Sequence, residues 1–387
     1  MKILAIETSC DETAVSIIEA HENQREKNSP TFSVLADSIY SQIDIHKEFG
    51  GVVPNLAKRA HAQNLLPLLV RSLKNAGLLE KGSNNIKNSD KILKLLEREE
   101  SLGQELIDFV KGHAIPDIDM IAVTYGPGLE PALWVGINFV KALGELWNKP
   151  IVPVNHMEGH ILSVLLQEQD EAYTTRHINY PTLSLLISGG HTELVLSEKP
   201  LEYNIIGSTR DDAVGEAFDK VARILDLPYP GGPEISKLAE TATGKNTFGL
   251  PHPMIDSGDF DFSFSGLKTA VLYKTKELGE LSQEQKADLA HEFEEVVTHV
   301  LTKKTLGAIK EHNVESLIIG GGVSANKRIR QAFTELAEKE GFTLYLPTPK
   351  LSTDNAIMIA IAGYMRHTQN PESTPQDFVA TGNLALK

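Results

Sequence analysis

One cysteine, Cys10, stands in a chain of 387 residues. A single thiol excludes an intrachain disulfide and any metal site built on paired cysteines, and it fits a reducing compartment. No uninterrupted apolar run approaches the length that crosses a bilayer. Met1-Lys2 leads directly into the strand-like Ile3–Ile6, which leaves no room for a signal or transit peptide and sets the expectation of a cytoplasmic protein. An excess of positive charge is also lacking: 37 Lys and Arg face 52 Asp and Glu, a formal charge of −15. Binding of nucleic acid by net charge alone is therefore excluded. Local basic groups remain, such as Lys58-Arg59 with Arg71 and Lys74, or Lys327-Arg328-Arg330. Singly they read as solvated helix faces, and with a nucleic-acid substrate a partner protein is expected to supply part of the positive surface.

What is present is a soluble globular composition, 41% hydrophobic and 23% charged, long enough for two domains with separate cores. The stretch around which the rest is arranged is Val154-Asn155-His156-Met157-Glu158-Gly159-His160, just after the strand-like Pro150–Val154. If Asn155 caps a helix, His156 and His160 lie on one face, one turn apart. That pair is a ready clamp for a divalent transition metal, which needs at least one more ligand from elsewhere. Glu158 points off that face, so the motif is not HExxH, where Glu follows the first His directly. Two partly exposed helix histidines with nothing bound would show the same spacing.

Glycine turns recur around this centre. Lys2–Ile6 and Ala14–Ile18 read as a hairpin whose polar tip, Glu7 to Thr13, includes Asp11 and Glu12. The same design returns as Thr182–Ile187, the turn Ser188-Gly189-Gly190-His191-Thr192, and Glu193–Leu196, an internal repeat of architecture rather than of letters. Such duplication is expected to place a cleft between two lobes. Gly126-Pro127-Gly128, between the strand Ile118–Tyr125 and the helix Pro131–Trp147, suits an anion or an ordinary turn equally. Gly320-Gly321-Gly322 between Ser316–Ile319 and the helix Lys327–Glu340 is the strongest nucleotide-type loop, with Asn326 offering an amide to a base or ribose. Asp219 is a candidate ribose acceptor or a solvent-facing carboxylate, and Tyr229–Glu234 is a rigid turn open to a ligand. Asp354 reads as a cap of the helix Ala356–His367, and as a carboxylate it can also complete a metal site. Further expectations are a helix over roughly Asn55–Asn75, one amphipathic helix Ile92–Val110 inside a surface insertion at 79–113, a linker at Gln167–Tyr180, a hairpin strand at Asp259–Thr269 with Phe260, Phe262 and Phe264 on one side, and a long helix within Leu281–His312.

Laid side by side, these stretches resemble the TsaD family, the tRNA N6-adenosine threonylcarbamoyltransferases once labelled O-sialoglycoprotein endopeptidases. The matching motifs are Ile6–Thr13, Tyr40–Pro54, Gly126–Gly136, His156–His160, Ser188–Thr192, Asp212–Asp219, Tyr229–Glu234, Phe262–Leu267, Gly320–Asn326 and Thr353-Asp354-Asn355, in family order from end to end. The resemblance implies an α/β, duplicated actin-like ATPase (ASKHA) fold, two lobes around a central nucleotide and metal cleft. Lobes are expected at 1–150, with the helical insertion, and at 151–350, with 351–387 returning to the first. Carried over by residue, it implies metal ligands His156, His160 and Asp354 for one divalent ion, Fe2+ or Zn2+. Substrate-site positions would be Leu186, Ile187, Ser188, Gly189, Gly190, Asp219, Gly232, Glu234 and Asn326, and Asp11 and Glu12 the catalytic acids. The implied reaction moves a threonylcarbamoyl group from threonylcarbamoyl-adenylate to adenosine 37 of tRNA, with TsaB-like and TsaE-like proteins as partners. A metal-dependent glycopeptidase and a kinase-like ATPase of the same fold are the alternatives.

Overall fold

The computed structural model describes residues 1–21, 30–99, 101–169, 172–369 and 377–387. They form two compact units. The first comprises Met1–Ile45, Val52–His177 and Asp354–Ala385; the second comprises His46–Gly51, Ile178–Thr353 and Leu386–Lys387.

In the first unit β1 (Lys2–Glu7), β2 (Glu12–His21), β3 (Thr31–Ser41), β4 (Met120–Gly126), β5 (Ile151–Asn155), β6 (Leu166–Gln169) and β7 (Ala172–Thr175) make one sheet in the order β5-β4-β1-β2-β3-β7-β6. The expected hairpin is β1 and β2, antiparallel with Ala5 opposite Ser16, while β4 and β5 continue parallel from β1. Parallel strands covered on both faces must be apolar throughout, and β1 and β4 are buried almost end to end. Leu4, Ile6, Ile121 and Val123 face the helices Pro54–Asn75 and Glu130–Trp147. On the other face lies the helix Ala356–Gln369, which reaches β1, β2, β4 and β5. Gly363 permits that approach, since a Cβ there would stand 2.8 Å from Ala122 Cβ.

The second unit repeats the arrangement with β8 (Thr182–Ile187), β9 (Thr192–Ser197), β10 (Asn204–Ser208), β11 (Ser316–Gly320) and β12 (Thr343–Tyr345), in the order β10-β9-β8-β11-β12. In each unit a β-meander of three antiparallel strands is extended from its first strand by two parallel ones. This shared third-second-first-fourth-fifth order is the duplication expected of the actin-like fold, in an α/β protein with two mixed sheets. Its core gathers Leu185, Ile187, Leu317 and Ile319 with helix residues such as Phe218 and Phe293, whose rings meet edge to face at 5.1 Å. Among the described residues no helix is long and apolar enough to cross a membrane.

Several local expectations need correction. The first unit does not close at residue 150 but runs to His177, because β5 is the outer parallel strand of its sheet and the next helix packs on Ala356–Gln369. The stretch from Gln167 is not a linker: β6 and β7 form a hairpin that extends the sheet beyond β3. The insertion holds two helices, Ser89–Leu95 and Leu102–Gly112, rather than one, and Ile92, Leu96, Leu106 and Val110 are buried in the core of the unit. Asp259–Thr269 is no hairpin strand. Phe262 makes one isolated bridge to Thr209 and the helix Ser265–Leu278 starts directly after, although Phe262 and Phe264 are buried and stacked as their alternation requires. Asp211 explains the switch, since its carboxylate accepts the backbone N–H groups of Phe264 and Ser265 and so begins a helix.

The helices His156–Val164 and Ala356–Gln369 are tied by a buried ion pair, Arg366 Nε to Glu158 at 2.8 and 3.0 Å. Glu158 is only 1% exposed. Replacing Arg366 by Met therefore removes the charged partner of a buried carboxylate, and we expect a loss of about 2–3 kcal/mol in urea unfolding, the low end for a buried pair because Arg366 reaches solvent. The double variant R366M/E158M should recover most of that loss; no recovery would mean that packing, not charge, couples the two helices.

Candidate metal centre and loops of the site

The first cluster is built at the carboxyl ends of β1 and β5. Asn155 ends β5 and caps the helix His156–Val164, its side-chain oxygen accepting from Met157 N at 2.9 Å and Glu158 N at 3.4 Å. The cap fixes the first turn, and the two imidazoles fall one turn apart with ring centroids 4.7 Å from each other. Asp354 arrives at the start of the helix Ala356–Gln369. The capping role falls to its neighbour: Asn355 Oδ1 accepts from Met358 N at 2.9 Å. Asp354 is therefore not the cap, and its Oδ1 stands 3.4 Å from His156 Nε2 and 3.2 Å from His160 Nε2. One ligand atom from each of the three lies within 4.8 Å of the others.

Behind this triad stands Glu7, which the sequence reading passed over. It is fully buried and accepts from Ser9 N and Thr124 Oγ1, both at 2.5 Å, while His156 Nδ1 lies 3.0 Å from Oε2. Ser9 Oγ is 3.2 Å from the same ring nitrogen. Burial disfavours charge on both partners, but Asp354 and Glu7 outweigh it at His156 and hold that imidazole well above its usual range, while His156 holds Glu7 low. Asp354 is depressed in the same way: burial opposes its charge and the two imidazoles overcome it. His160 goes the other way, pushed down by burial and by the neighbouring His156.

The donor set fits a divalent metal. Both ring nitrogens of His160 are buried without a well-formed hydrogen bond: Nε2 has only the Asp354 carboxylate at 3.2 Å, and Nδ1 is an orphaned polar group, a cost of about 1–3 kcal/mol. A His–His–carboxylate set with a second carboxylate behind one imidazole is the usual construction of a transition-metal site, the outer carboxylate fixing ring orientation and tautomer.

The polar tip between β1 and β2 carries Asp11, which is buried, and Glu12, which is half-buried and accepts from Ser41 Oγ at 3.3 Å. Burial, then the charges of Asp11 and Asp354, push Glu12 up to about 10. Under this tip lies a residue not singled out from the sequence, His61. Fully buried on the helix Pro54–Asn75, it lies 2.7 Å from Thr13 Oγ1 through Nδ1 and 2.9 Å from the Cys10 carbonyl through Nε2, so it staples both ends of the loop. Gln42 adds a contact to the ring and donates its backbone N–H to the Asp11 carbonyl at 2.9 Å. The Gly126-Pro127-Gly128 turn is an ordinary turn rather than an anion cradle. Gly128 N donates to Gly382 O and Leu129 N to Ser9 O, so its amides are already used.

In the second unit the expected loops meet at the carboxyl ends of the parallel pair β8 and β11. Leu186 and Ile187 are wholly buried, so only their backbones can face a guest. Gly321, at φ +88°, passes so close to the Ile187 carbonyl that a Cβ would sit 2.5 Å from its oxygen, and Gly215 N donates to Ser188 O at 3.2 Å. Around Gly189, Gly190, Gly232 and Gly322, by contrast, a Cβ would meet nothing within 4 Å. Asp219 accepts from Gly231 N at 2.7 Å and pins the turn that begins the helix Gly231–Ala239, which carries the half-buried Glu234 in its first turn. Asn326 is engaged at both ends: Oδ1 caps its helix at Ile329 N, and Nδ2 donates to Ser236 Oγ and Glu294 Oε1 at 2.9 and 2.8 Å.

Comparison with known proteins decides the lineage. The family profile TsaD, tRNA N6-adenosine threonylcarbamoyltransferase, matches residues 33–86 and 104–361. The chain belongs to the TsaD family. A tRNA N6-adenosine threonylcarbamoyltransferase of Staphylococcus epidermidis is 44% identical over 94% of this chain and 91% of its own. The proteins of the same name from Persephonella marina and Burkholderia lata are 41% and 42% identical, over 100% and 98% of this chain and 96% of each relative. Among solved structures, full-length HypF in its phosphate- and nucleotide-bound form shares the fold at 12% identity and a TM-score of 0.50, covering 97% of this chain and 47% of HypF. The TsaD match brings the histidine pair and Asp354 inside one family segment, and leaves residues 87–103 unmatched.

Since His156 is held above its ordinary value, it carries a proton at pH 7 when no cation is bound, and ligation through Nε2 must expel that proton. Titration of metal-free protein with Zn2+ in two buffers of different ionisation enthalpy should show close to one proton released at pH 7 and affinity that weakens as pH falls. H160A and D354A should each abolish the tight site; release of no proton would contradict the charge state assigned to His156.

Proposed function

We propose that this protein transfers the threonylcarbamoyl group from threonylcarbamoyl-adenylate to N6 of adenosine 37 in tRNAs that read codons beginning with A, releasing AMP. The observation that carries the reading is the match to tRNA N6-adenosine threonylcarbamoyltransferases along nearly their whole length. A cytoplasmic location and TsaB-like and TsaE-like partners belong to the same reading.

In the reaction, the N6 nitrogen bonds to the carbamoyl carbon, the carbon–oxygen bond to the phosphate breaks, and AMP leaves with that electron pair. The amine is a weak nucleophile, because its lone pair is delocalised into the adenine ring. Alignment and charge neutralisation must then supply most of the acceleration. His156, His160 and Asp354 would hold one divalent ion, Fe2+ or Zn2+, which would supply Lewis-acid stabilisation of acyl and phosphate oxygens. Glu7 keeps Nδ1 of His156 occupied so that Nε2 is the ligating atom. The open backbones of Gly189, Gly190, Gly232 and Gly322 receive the adenylate, with Ser188, Asp219, Glu234 and Asn326 framing it. Leu186 and Ile187 contribute through their main chain.

Asp11 or Glu12 takes the N6 proton. Glu12, with its pKa pushed to about 10, holds a proton of its own at neutral pH and must lose it before it can act as the acceptor. A glycopeptidase fits less well, because the carboxylate of Glu158 is committed to Arg366 and is not free to act as a base. A kinase-like ATPase has no use for a His–His–Asp transition-metal site.

Purified protein incubated with threonylcarbamoyl-adenylate, unmodified tRNA and partner proteins should yield the modified nucleoside on mass analysis. H156A and D354A should lower transfer by at least about a thousandfold while the fold is retained, and D219A should weaken adenylate binding. Full activity in H156A/D354A would remove the metal cluster from the mechanism. A second expectation concerns His61: H61A should cut kcat far more than it raises KM, with metal content unchanged, because it sets the loop bearing Asp11 and Glu12. Equal loss in metal content would assign His61 to folding instead.

A further inference from the structure

Asp354 stands at the start of the helix Ala356–Gln369, and further along the chain the segment Phe378–Ala385 returns to the loops behind the metal ligands. It lies outside the residues that the family profile matches. Phe378 and Ala380 are buried in the core of the first unit. Lys141 fixes the entry: its Nζ donates to the Phe378 carbonyl at 2.8 Å and lies 4.7 Å from the centre of that ring.

Beyond this anchor the segment holds the turn Gly126-Pro127-Gly128. Thr381 N donates to Tyr125 O, and Gly128 N donates to Gly382 O, both at 3.0 Å. No room is left between the parts: a Cβ on Gly126 would run into the Thr381 carbonyl, and one on Gly128 would stand 2.6 Å from Ser9 O. The turn is thus wedged between the returning segment and the loop that joins β1 to β2. Leu129 N adds a 2.7 Å bond to the same Ser9 oxygen. Ser9 in turn has its Oγ 3.2 Å from His156 Nδ1, and its N donates to Glu7. A second route is more direct. Ala385 O accepts from Asn155 Nδ2 over a long 3.4 Å, and Asn155 caps the helix that His156 begins. Two separate supports of one imidazole therefore lead back to one stretch of chain.

We propose that Phe378–Ala385 is a positioning element of the metal centre. By pressing the Gly126–Gly128 turn against Ser9, and by steadying Asn155, it holds the His156 ring in the direction that ligation through Nε2 requires. Outer contacts that orient a ligating imidazole are worth about 10–100-fold in metal affinity. A segment that only sealed the strand ends would act through the buried Phe378 and Ala380 and would leave metal affinity untouched. The inference rests on His156, His160 and Asp354 holding a metal, and not on the reaction that follows.

The test compares zinc affinity, the ligand-field spectrum of Co2+-loaded protein and metal-free urea unfolding. The proteins are wild type, G382V, N155S and a chain ended after Ala380, which keeps Phe378 and Ala380. In G382V the added side chain starts 3.2 Å from Gly128 O and parts the segment from the turn without shortening anything. G382V and the shortened chain should bind zinc about 10–100-fold more weakly and shift the Co2+ bands, with the metal-free midpoint of G382V close to wild type. N155S keeps a capping oxygen but lacks the amide donor to Ala385. It should weaken zinc by a smaller factor, and should cost nothing further in the shortened chain. Wild-type zinc affinity and Co2+ bands in G382V would overturn the inference, whether or not the shortened chain folds. A lowered metal-free midpoint with unchanged Co2+ bands would overturn it too, by assigning the segment to general stability. Failure of wild type to hold zinc would instead bring down the metal reading on which it stands.

Discussion

A carboxylate with no solvent exposure sits at the end of the first strand, and the geometry of the metal cluster follows from its compensation. Glu7 receives one backbone donor, one hydroxyl and one imidazole. An unpaired charge at that depth would cost several kcal/mol, so the three donors are obligatory rather than decorative. Satisfying them requires β4 in register beside β1 to bring Thr124, and β5 beside β4 to bring the His156 helix. Once Nδ1 of His156 is committed to Glu7, its other nitrogen faces Asp354. The ligand geometry is thus a consequence of sheet register.

Two asparagines release the functional residues next to them. Asn155 caps one helix, so His156 has no capping role; Asn355 caps another, so Asp354 has none either. A helix N-terminus carries partial positive charge and welcomes a carboxylate. Two such ends close to a cation would oppose it, which is one reason why this neighbourhood also holds Glu7, Asp11 and Glu12. Burial, and then the charges of Asp11 and Asp354, raise Glu12. The cluster is electrostatically unbalanced by itself and is relieved by added positive charge.

Much of this was legible in the letters. The i, i+4 histidines with Asn155 before them carried helix, cap and the meeting of the two imidazoles together, because capping and helical period are local. The two hairpins and the glycine turns were legible for the same reason. Asp354 was ambiguous between cap and candidate ligand, since a carboxylate at a helix start serves either; the hydrogen bond from Met358 to Asn355 gives the cap to Asn355. Glu7 and His61 escaped notice because their importance is long-range. The one hint at Glu7 is a charge closing the apolar run Ile3–Ile6, which in a buried parallel strand must be paired. The Phe260–Phe264 alternation misled in element type but not in burial, as a two-residue period reports facing sides rather than ladder bonds. At Gln167–Tyr180 the polarity of an edge hairpin, solvated on one side, looked like a linker.

An acidic protein is an unexpected partner for RNA. At physiological ionic strength the Debye length is about 8 Å. Acidic groups on the far side of a domain this size are therefore almost silent at a given contact, and the sum of −15 says little about any one patch. What counts is whether cations gather within one screening length without being consumed by acids. Most lysines here fail that condition: Lys327 is spent on Glu240, Lys310 on Glu340 and Lys303 on Asp256. Lys94 and Arg98 form no ion pair among the described residues, but Glu97, Glu99 and Glu130 line the same cavity as they do, so that segment is close to neutral as well.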